Sequence, residues 1–343
     1  MITLMRKIAG LAANVIENAW IYTHRRVNTS STVMLVGVPR SGTTWIMEII
    51  ETLGNYRIVF EPFNPGFYPI TRKYAFTLRF NEPVYRPYLP ISQKDPELEK
   101  YIDLVLRGHV SGYWFSPPRR LLRNLKWLKS GKVLVKDVWT TRLLPWIMHR
   151  FRHKTKNFFL LIRHPCAVIE SQIRTCVGNP LCFYSNHIVK KTILRQLNAI
   201  EELRDKIDRI CPKLENISRH EELLASIWAM DYYVPLFYNG RNYYKIIVYE
   251  DFVLHSHQAI ERTIELLGFR VRVKSSDISK LFTYPSPTAK DVAGRVVDNI
   301  YKWKKRLSRQ QIESILRIIH LFDITFYNEN IEPNYSEIIN WRP

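Results

Sequence analysis

Five short runs of apolar and β-branched residues recur along the chain, and several of them lead directly into segments with helical spacing. The runs do not alternate with polar residues, which is typical of strands that are buried on both faces. Strands of this kind, connected by helices, predict a parallel sheet with helices on both sides. The sequence therefore predicts an α/β fold of three layers. The predicted strands are Val33–Val38, Tyr56–Glu61, Lys132–Asp137, Asn157–Pro165 and Tyr243–Phe252.

Two regions interrupt this alternation. Residues 62–132 hold nine of the nineteen prolines and many aromatic residues, so this region is too apolar for a disordered linker and too rich in proline for regular strands. We expect a partly helical insertion that folds over the sheet as a lid or an acceptor cleft. Residues 178–242 have a helical pattern, and a late helix is expected where Ser308 and Gln311 form a capping box. Residues 1–343 are predicted to form a single elaborated domain.

The N-terminal segment, residues 1–28, has apolar residues at helical spacing and basic residues at both ends, which predicts an amphipathic helix. Charged and amide residues interrupt it, so it has no apolar run of about 18 residues to span a bilayer. Two interpretations stay open: packing against the protein, which is the default, and lying in a membrane surface. The segment has no clear signal-peptide cleavage site. We expect a cytoplasmic protein, with peripheral membrane association as the alternative.

The charge balance and the cysteines limit the classes of partner. Lysine and arginine outnumber aspartate and glutamate by 51 to 31, which gives a formal net charge of +20 and favours anionic partners. No C-x-x-C pair and no cysteine–histidine cluster with zinc spacing is present, so no metal site is expected. Cys176 and Cys182 could pair in an exported protein, but free buried thiols are the expected state.

A glycine-containing turn joins the first predicted strand to the helix that follows it. Gly37 and Gly42 have the spacing of a Walker phosphate-binding loop, but Thr43 stands where that loop has lysine. The helix N-terminus presents free backbone N–H groups to an anion, Thr43 and Thr44 add hydroxyl donors, and Arg40 adds a guanidinium. Because the Walker lysine reaches the β- and γ-phosphates, its loss argues against a nucleoside triphosphate. The loop fits a nucleotide with a single, further substituted 5′-phosphate.

Four segments resemble those of a known family. PRSGTTW at residues 39–45 resembles the 5′-phosphosulfate loop of sulfotransferases that use 3′-phosphoadenylyl sulfate (PAPS). LLIRHPCAVIESQIR at residues 160–174 is similar to the 3′-phosphate motif of that family. The segment at residues 246–269, with Tyr-Glu-Asp and Leu-Gly, and the segment at residues 294–312, with Trp before a Leu-Ser helix start, resemble two later signatures. The four segments follow the order of the family along most of the chain.

This resemblance implies a P-loop-like fold, with PAPS as sulfuryl donor and no metal. It implies that Arg163 and Ser171 grip the 3′-phosphate. It also implies that one late basic residue, namely Lys290, Arg295 or Lys302, closes over the donor. The loop residues that it assigns to the cofactor are Arg40, Ser41, Gly42, Thr43, Thr44 and Trp45, of which Trp45 packs beneath the loop or flanks the adenine.

Sulfuryl transfer moves a loosely held anionic group between two oxygens, so catalysis depends on positioning and on charge stabilisation. Glu61 closes the second strand, and the resemblance to glycan and tyrosyl-protein sulfotransferases makes it the candidate general base. The structural alternative is a capping or salt-bridged glutamate. Lys136 closes the third strand and would neutralise the sulfonate or orient Glu61, while Arg40 would stabilise charge. His164 is expected to be a structural residue in a turn.

Two other functions compete with the sulfotransferase. A Mg²⁺-dependent P-loop kinase would use Asp137 as a metal ligand, although the Walker lysine is missing. A nucleic-acid-binding protein is favoured by net charge alone, and the chain has neither a basic recognition helix nor an aromatic sheet motif, so no nucleic acid is expected. A base at Glu61 favours the glycan-type branch by analogy. The expected acceptor is therefore a hydroxyl group of a carbohydrate or glycolipid.

Overall fold

The structure is a computed structural model, and it describes residues 2–64, 84–111, 125–238, 244–268 and 300–341. Five strands are present in these residues, namely β1 (Val33–Val36), β2 (Arg57–Phe60), β3 (Val133–Asp137), β4 (Asn157–Ile162) and β5 (Lys245–Val248). They form one parallel sheet in the order β2-β3-β1-β4-β5, so β1 is central. The predicted α/β fold with a parallel central sheet between helices is confirmed.

Helices surround this sheet in the part of the chain that the structure describes. The early helices are α1 (Ile2–Thr23), α2 (Thr43–Gly54), α3 (Pro96–Leu106), α4 (Leu144–Phe151) and α5 (Pro165–Thr175). The middle helices are α6 (Asn186–Ala199), α7 (Ile207–Glu215) and α8 (His220–Phe237). The late helices are α9 (Tyr249–Leu254), α10 (Ser256–Leu266), α11 (Lys302–Arg306), α12 (Arg309–His320) and α13 (Tyr335–Asn340). Short 3₁₀ turns lie at Thr29–Ser31, Leu125–Lys129, Pro180–Cys182 and Glu201–Lys206.

The two faces of the sheet bury two separate hydrophobic cores. Met34 and Val36 of β1 belong to the larger core, together with residues of α4, α5, α8 and α12, whereas Val33 and Leu35 belong to the smaller core under α2 and α10. Successive side chains of a strand point to opposite faces, so a strand covered on both sides must be apolar at every position. This explains the unbroken apolar runs from which the sheet was predicted.

The predicted end of the fifth strand needs correction, and one cap is confirmed. The fifth strand ends at Val248, and Tyr249–Leu254 is already helical, although the strand was predicted to extend to Phe252. Glu250 and Asp251 lie in the first turn of α9, where acidic side chains are favourable to the helix dipole. The predicted capping box of α12 is present, with Ser308 and Gln311 bonded reciprocally.

The N-terminal helix α1 packs at the amino edge of the sheet. Trp20 is buried and donates its indole N–H to the carbonyl of Ser130, just before β3. Glu17 is fully buried beside Arg57, the first residue of β2, with 3.7 Å between Oε1 and Nη2. Packing against the protein is therefore confirmed for this face of the helix, while Leu11, Val15 and Tyr22 are exposed. Among the described helices none is long and apolar enough to cross a membrane.

The proline-rich insertion is described only in part. The predicted helical content is present in α3 and in the 3₁₀ turn at Leu125–Lys129, while residues 65–83 and 112–124 lie outside the described residues. The predicted helical layer over 178–242 is confirmed by α6, α7 and α8 as far as residue 238, and residues 239–242 lie outside the described residues.

Candidate active site

A pocket of about 300 Å³ opens at the carboxyl edge of the sheet. The carboxyl ends of parallel strands are where ligands bind in open α/β sheets. Residues that follow β1, β2, β3 and β4 meet there, together with residues from α5 and α11. Its described lining includes the predicted residues Arg40, Gly42, Thr43, Thr44, Trp45, Glu61, Lys136, Arg163, Ser171 and Lys302.

The loop after β1 forms one end of the pocket. Helix α2 begins at Thr43, so the backbone N–H groups of Thr43 and Thr44 have no acceptor within the helix, and both residues line the pocket. The N–H groups of Trp45 and Ile46 donate to the Gly42 carbonyl at 3.0 and 3.1 Å. Gly42 has a φ of 95°, and a Cβ atom there would lie 2.4 Å from the ring of Tyr249. Trp45 is buried and contacts the ring of Tyr249 edge-on, with 5.5 Å between ring centroids. Only glycine therefore permits the close approach of this loop to α9.

Ser41 does not line the pocket, although the sequence assigned it to the cofactor. Its side chain is fully buried, and its Oγ lies where a Cβ atom on Gly37 would collide at 2.8 Å. Its backbone N–H donates to the carbonyl of Val38 at 3.1 Å. Ser41 thus shapes the turn from inside, whereas Thr43 and Thr44 line the pocket.

Arg40 connects the two predicted phosphate motifs. Its backbone has a φ of 73°, in the left-handed region, and its Nε donates to Oγ of Ser171 on α5 at 2.9 Å. Nη1 of Arg163, just after β4, donates to the Arg40 carbonyl at 3.0 Å. The Arg163 guanidinium also lies over the ring of Tyr249, at 4.2 Å from its centroid. Segments about 120 residues apart in sequence are therefore in direct contact.

The region around Arg163 can hold a second anion. Nε of Arg163 is buried and has no hydrogen-bond partner among the described residues. Lys302 and Arg306 of α11 and Arg174 of α5 line the same pocket, as does the Glu170 carboxylate, which Arg306 meets at 2.8 Å and Arg174 at 3.4 Å. The described lining carries six basic residues and two acidic ones, so it favours an anion with several charges.

Of the three late basic residues considered, Lys302 lines the pocket, while Lys290 and Arg295 lie outside the described residues. Arg174 and Arg306 were missed by the sequence reasoning. The spacing in the sequence could have indicated both. Arg174 follows Ser171 by three residues and Arg306 follows Lys302 by four, so each arginine shares a helix face with a predicted residue.

Glu61 is held beside Lys136 at the other end of the pocket. It follows β2 with a φ of 47°, and its backbone N–H donates to the carbonyl of Lys136 at 2.6 Å. Its Oε1 accepts from Nζ of Lys136 at 2.5 Å, and its Oε2 accepts from Nδ2 of Asn64 at 3.2 Å. Lys136 is 2% exposed, with Nζ 4.5 Å from the centroid of the Phe60 ring. The pair is thus desolvated but open to the pocket.

Two opposing effects set the charge of Glu61. Burial raises the pKa of its carboxyl group, but the Lys136 ammonium and the hydrogen bonds from Lys136 and Asn64 outweigh burial, so the pKa lies below its usual value. Glu61 is therefore ionised at neutral pH and can accept a proton. The two interpretations of Glu61, a salt-bridged structural residue and a general base, are therefore compatible. The same carboxylate forms the ion pair with Lys136 and is able to accept a proton.

Asp137 is turned away from the pocket. Its Oδ1 accepts from the backbone N–H groups of Trp139 at 2.7 Å and Thr140 at 3.0 Å, and its Oδ2 accepts from that of Phe63 at 3.1 Å. Burial raises the pKa of this carboxyl group to about 6. These bonds fix the turn after β3 and occupy the oxygens that a Mg²⁺ ligand would need. Within the described ranges, no group of three histidine, cysteine or acidic residues has the geometry for a metal.

His164 is a structural residue, as the sequence predicted. It caps α5 by accepting from the Cys166 N–H at 3.2 Å, and its ring stacks on Trp303 with 4.4 Å between centroids. Its Nε2 lies 2.9 Å from the carbonyl oxygen of Asn328. Burial lowers the pKa of this imidazole to about 3, so it stays neutral.

A disulfide closes the loop that follows α5. Cys176 and Cys182 are bonded, with Cα atoms 5.8 Å apart, so the expectation of free thiols is wrong for this pair, while Cys166 and Cys211 are free. The 3₁₀ turn that begins at Pro180 folds the chain back and brings the two cysteines into bonding distance. The bridged loop, residues 176–182, packs on the loop after β1, since a Cβ atom on Gly178 would lie 2.5 Å from Cβ of Pro39.

Comparison with known proteins gives weak similarity. No family model and no curated protein matches the chain. Among solved structures, the sulfotransferase domain from the Synechococcus PCC 7002 olefin synthase is 14% identical with a TM-score of 0.44, and the match covers 87% of this chain and 96% of that domain. The sulfotransferase domain from the curacin biosynthetic pathway is 15% identical with a TM-score of 0.42, covering 85% and 97%. Similarity at this level assigns neither a family nor an activity.

Proposed function

We propose that this protein is a sulfotransferase that transfers the sulfuryl group of PAPS to a hydroxyl group of an acceptor. The observation that carries the proposal is the pair of anion sites at one pocket, joined by the hydrogen bond from Arg40 to Ser171. One site is the N-terminus of α2, and the other is the basic cluster around Arg163. A nucleoside 3′,5′-bisphosphate has two separate phosphates and matches this arrangement, whereas a triphosphate has its charges in a single chain.

The residues present fit the donor. Thr43 and Thr44, through their hydroxyl and backbone N–H groups, would hold the 5′-phosphosulfate, because a helix N-terminus stabilises an anion. Arg163, with its buried unpartnered Nε, Ser171 and Lys302 would hold the 3′-phosphate. PAPS supplies an activated sulfuryl group when it is bound.

At the other end of the pocket, Glu61 would take the proton from the acceptor hydroxyl. Lys136 keeps this carboxylate ionised and would also stabilise negative charge that develops on the transferring group. Arg40, at the turn, adds charge stabilisation. The ion pair weakens Glu61 as a base, and this is compensated if Lys136 shifts toward the sulfuryl oxygens during transfer.

The acceptor is proposed to be a hydroxyl group on a carbohydrate or glycolipid, which rests on the glutamate base by analogy with the glycan-type branch. We also propose that the exposed apolar stripe of α1, formed by Leu11, Val15 and Tyr22, allows peripheral contact with a membrane. The cytoplasmic location stays a prediction, and the Cys176–Cys182 disulfide weighs against it, because disulfides persist mainly in oxidising compartments.

A Mg²⁺-dependent kinase is the competing function, and calorimetry separates the two. We expect 3′-phosphoadenosine 5′-phosphate (PAP) to bind without metal at fixed salt, and more tightly than ADP or ATP with or without Mg²⁺. Arg163→Ala and Ser171→Ala should each weaken PAP binding. Tighter binding of ATP that requires Mg²⁺ would contradict the proposal.

A further inference from the structure

A second cavity, of about 150 Å³, adjoins the main pocket. Trp139 lines both cavities, so the second cavity lies beside the pocket that contains Glu61 and Lys136. The walls are mostly aromatic, aliphatic or part of the bridged loop. The described lining comprises Val84, Tyr85, Arg86, Trp139, Cys176, Gly178, Asn179, Pro180, Phe183 and Ile227.

Two polar side chains of this cavity, Asn179 and Arg86, already have partners within the protein. The amide of Asn179 accepts from the Leu181 N–H at 2.9 Å and donates to the Gln172 carbonyl at 3.4 Å. Arg86 donates through Nε to Asp231 at 2.7 Å and through Nη1 to the Tyr85 carbonyl at 2.7 Å. Since these groups form their hydrogen bonds within the wall of the cavity, an apolar guest would break none of them.

The charge and the ring contacts favour an aromatic guest over a saturated one. Arg86 and Arg142 both pair with Asp231 at 2.7 Å, so this buried group of three carries a net positive charge beside the cavity. The Arg86 guanidinium lies 5.4 Å from the centroid of the Trp139 ring, and Tyr85 lies 5.9 Å from the same indole. A cation beneath aromatic walls attracts the negative face of a further aromatic ring.

The size and the mouth of the cavity agree with a single ring. An apolar protein cavity of about 150 Å³ is known to bind benzene. Phe183 stands at the rim with 77% of its surface exposed, which is high for a phenylalanine and suits a side chain that covers a guest.

We infer that the cavity binds an aromatic ring of the acceptor, a few bonds away from the hydroxyl group that reaches Glu61. This inference rests on the proposed sulfuryl transfer for its functional meaning, although the ring site itself does not depend on it. An acceptor sugar that carries an aryl group would satisfy both proposals. A free oligosaccharide would leave the cavity empty.

The ring site is tested first by binding alone. Phenylalkanols with one to four methylene groups and their cyclohexyl counterparts are titrated into the full-length protein, with and without PAP, by ligand-observed NMR. We expect the phenyl compounds to bind several-fold more tightly than the cyclohexyl ones. Val84→Phe should fill the cavity and weaken binding by about tenfold. Ile188→Phe is the matched control, because Ile188 is 46% exposed and outside the cavity lining.

A second variant guards against misfolding of Val84→Phe. Phe183→Ala removes an exposed side chain at the rim and should weaken ring binding by about threefold, whereas the neighbouring Tyr184→Ala should leave it unchanged. Equal binding of phenyl and cyclohexyl compounds, or binding that neither cavity variant weakens, overturns the ring site.

The role in transfer is tested by turnover with PAPS. The sulfation rate of the phenylalkanols should be highest at one chain length. In Phe183→Ala the rate at low phenylalkanol concentration should fall, because KM rises. A rate that is independent of chain length, or no sulfation by protein that binds both PAP and the ring, overturns the acceptor role. Failure of PAP to bind at all would instead refute the proposed donor, while the NMR result would still decide the ring site.

Discussion

The wall of the pocket that we propose for the donor, here called the donor wall, is formed by Arg40, Thr43, Arg163 and Ser171. It comes from strand ends and the helices that directly follow them. The wall that we propose for the acceptor, here called the acceptor wall, is formed by Asn64, Trp139 and Val177. It comes from a turn after β2, a turn after β3 and the bridged loop. Sheet geometry positions the first wall, because parallel strands end at a common edge. Long-range packing and a covalent bridge position the second wall, so its shape depends on contacts that a local pattern does not determine.

If the two walls bind different substrates, a substitution in one wall should leave the binding of the other wall's substrate unchanged. The largest effect is expected for Glu61→Gln, which keeps the size of the side chain and removes its basicity. We expect the rate of sulfuryl transfer to fall by about 10²- to 10⁴-fold, with the Kd for PAP almost unchanged. Glu313→Gln, at a site that is 53% exposed on α12, is the control. If Glu61→Gln keeps most of the activity, Glu61 has a structural role and is not the base.

A smaller effect, confined to the donor wall, is expected for Arg163→Ala. Loss of a charged hydrogen bond to the 3′-phosphate should weaken PAP binding by about 10- to 100-fold. The affinity for adenosine 5′-phosphate, which lacks that group, should change much less. Arg309→Ala is the control, since Arg309 is 88% exposed. Equal losses for the two nucleotides in calorimetry would show that Arg163 supports the fold of the loop instead of a 3′-phosphate.

The sheet and the meeting of two sequence motifs at its edge were predictable because each part rests on a contiguous segment. Unbroken apolar runs indicated the strands, and PRSGTTW and LLIRHP followed two of them. For Ser41 the motif gives the residue but not the direction in which its side chain points, and that side chain is fully buried.

The acceptor wall was not predictable to the same degree. Trp139 and Val177 belong to no motif and reach the pocket only through the tertiary fold. The pairing of Cys176 with Cys182 depended on a 3₁₀ turn whose geometry the sequence left open. Cysteine spacing alone could not distinguish free thiols from a bridge.

The pH dependence of the rate sharpens the assignment of Glu61 and Lys136. Lys136 holds the pKa of Glu61 low against burial, so in Lys136→Met the raising effect of burial remains and the pKa should increase. Because the base must be ionised, the acid limb of kcat/KM should move to higher pH in this variant. In the wild type, the lowered pKa of Glu61 contributes stability that is present above its unfolded pKa and is lost as the pH falls. If the acid limb does not move, it reflects the titration of a group other than Glu61.

The smallest effect on the binding of PAP is expected from opening the bridged loop. Cys176→Ser with Cys182→Ser removes the disulfide and should lower the free energy of unfolding by about 2 kcal/mol, measured by urea denaturation. The Kd for PAP should change by less than about threefold, because strand ends and α5 still position Arg163 and Ser171. The acceptor wall should respond more, since Val177 and Gly178 belong to the opened loop and line the two cavities. A loss of PAP affinity as large as that of Arg163→Ala would mean that the two walls form one cooperative unit, and the contrast between them would then fail.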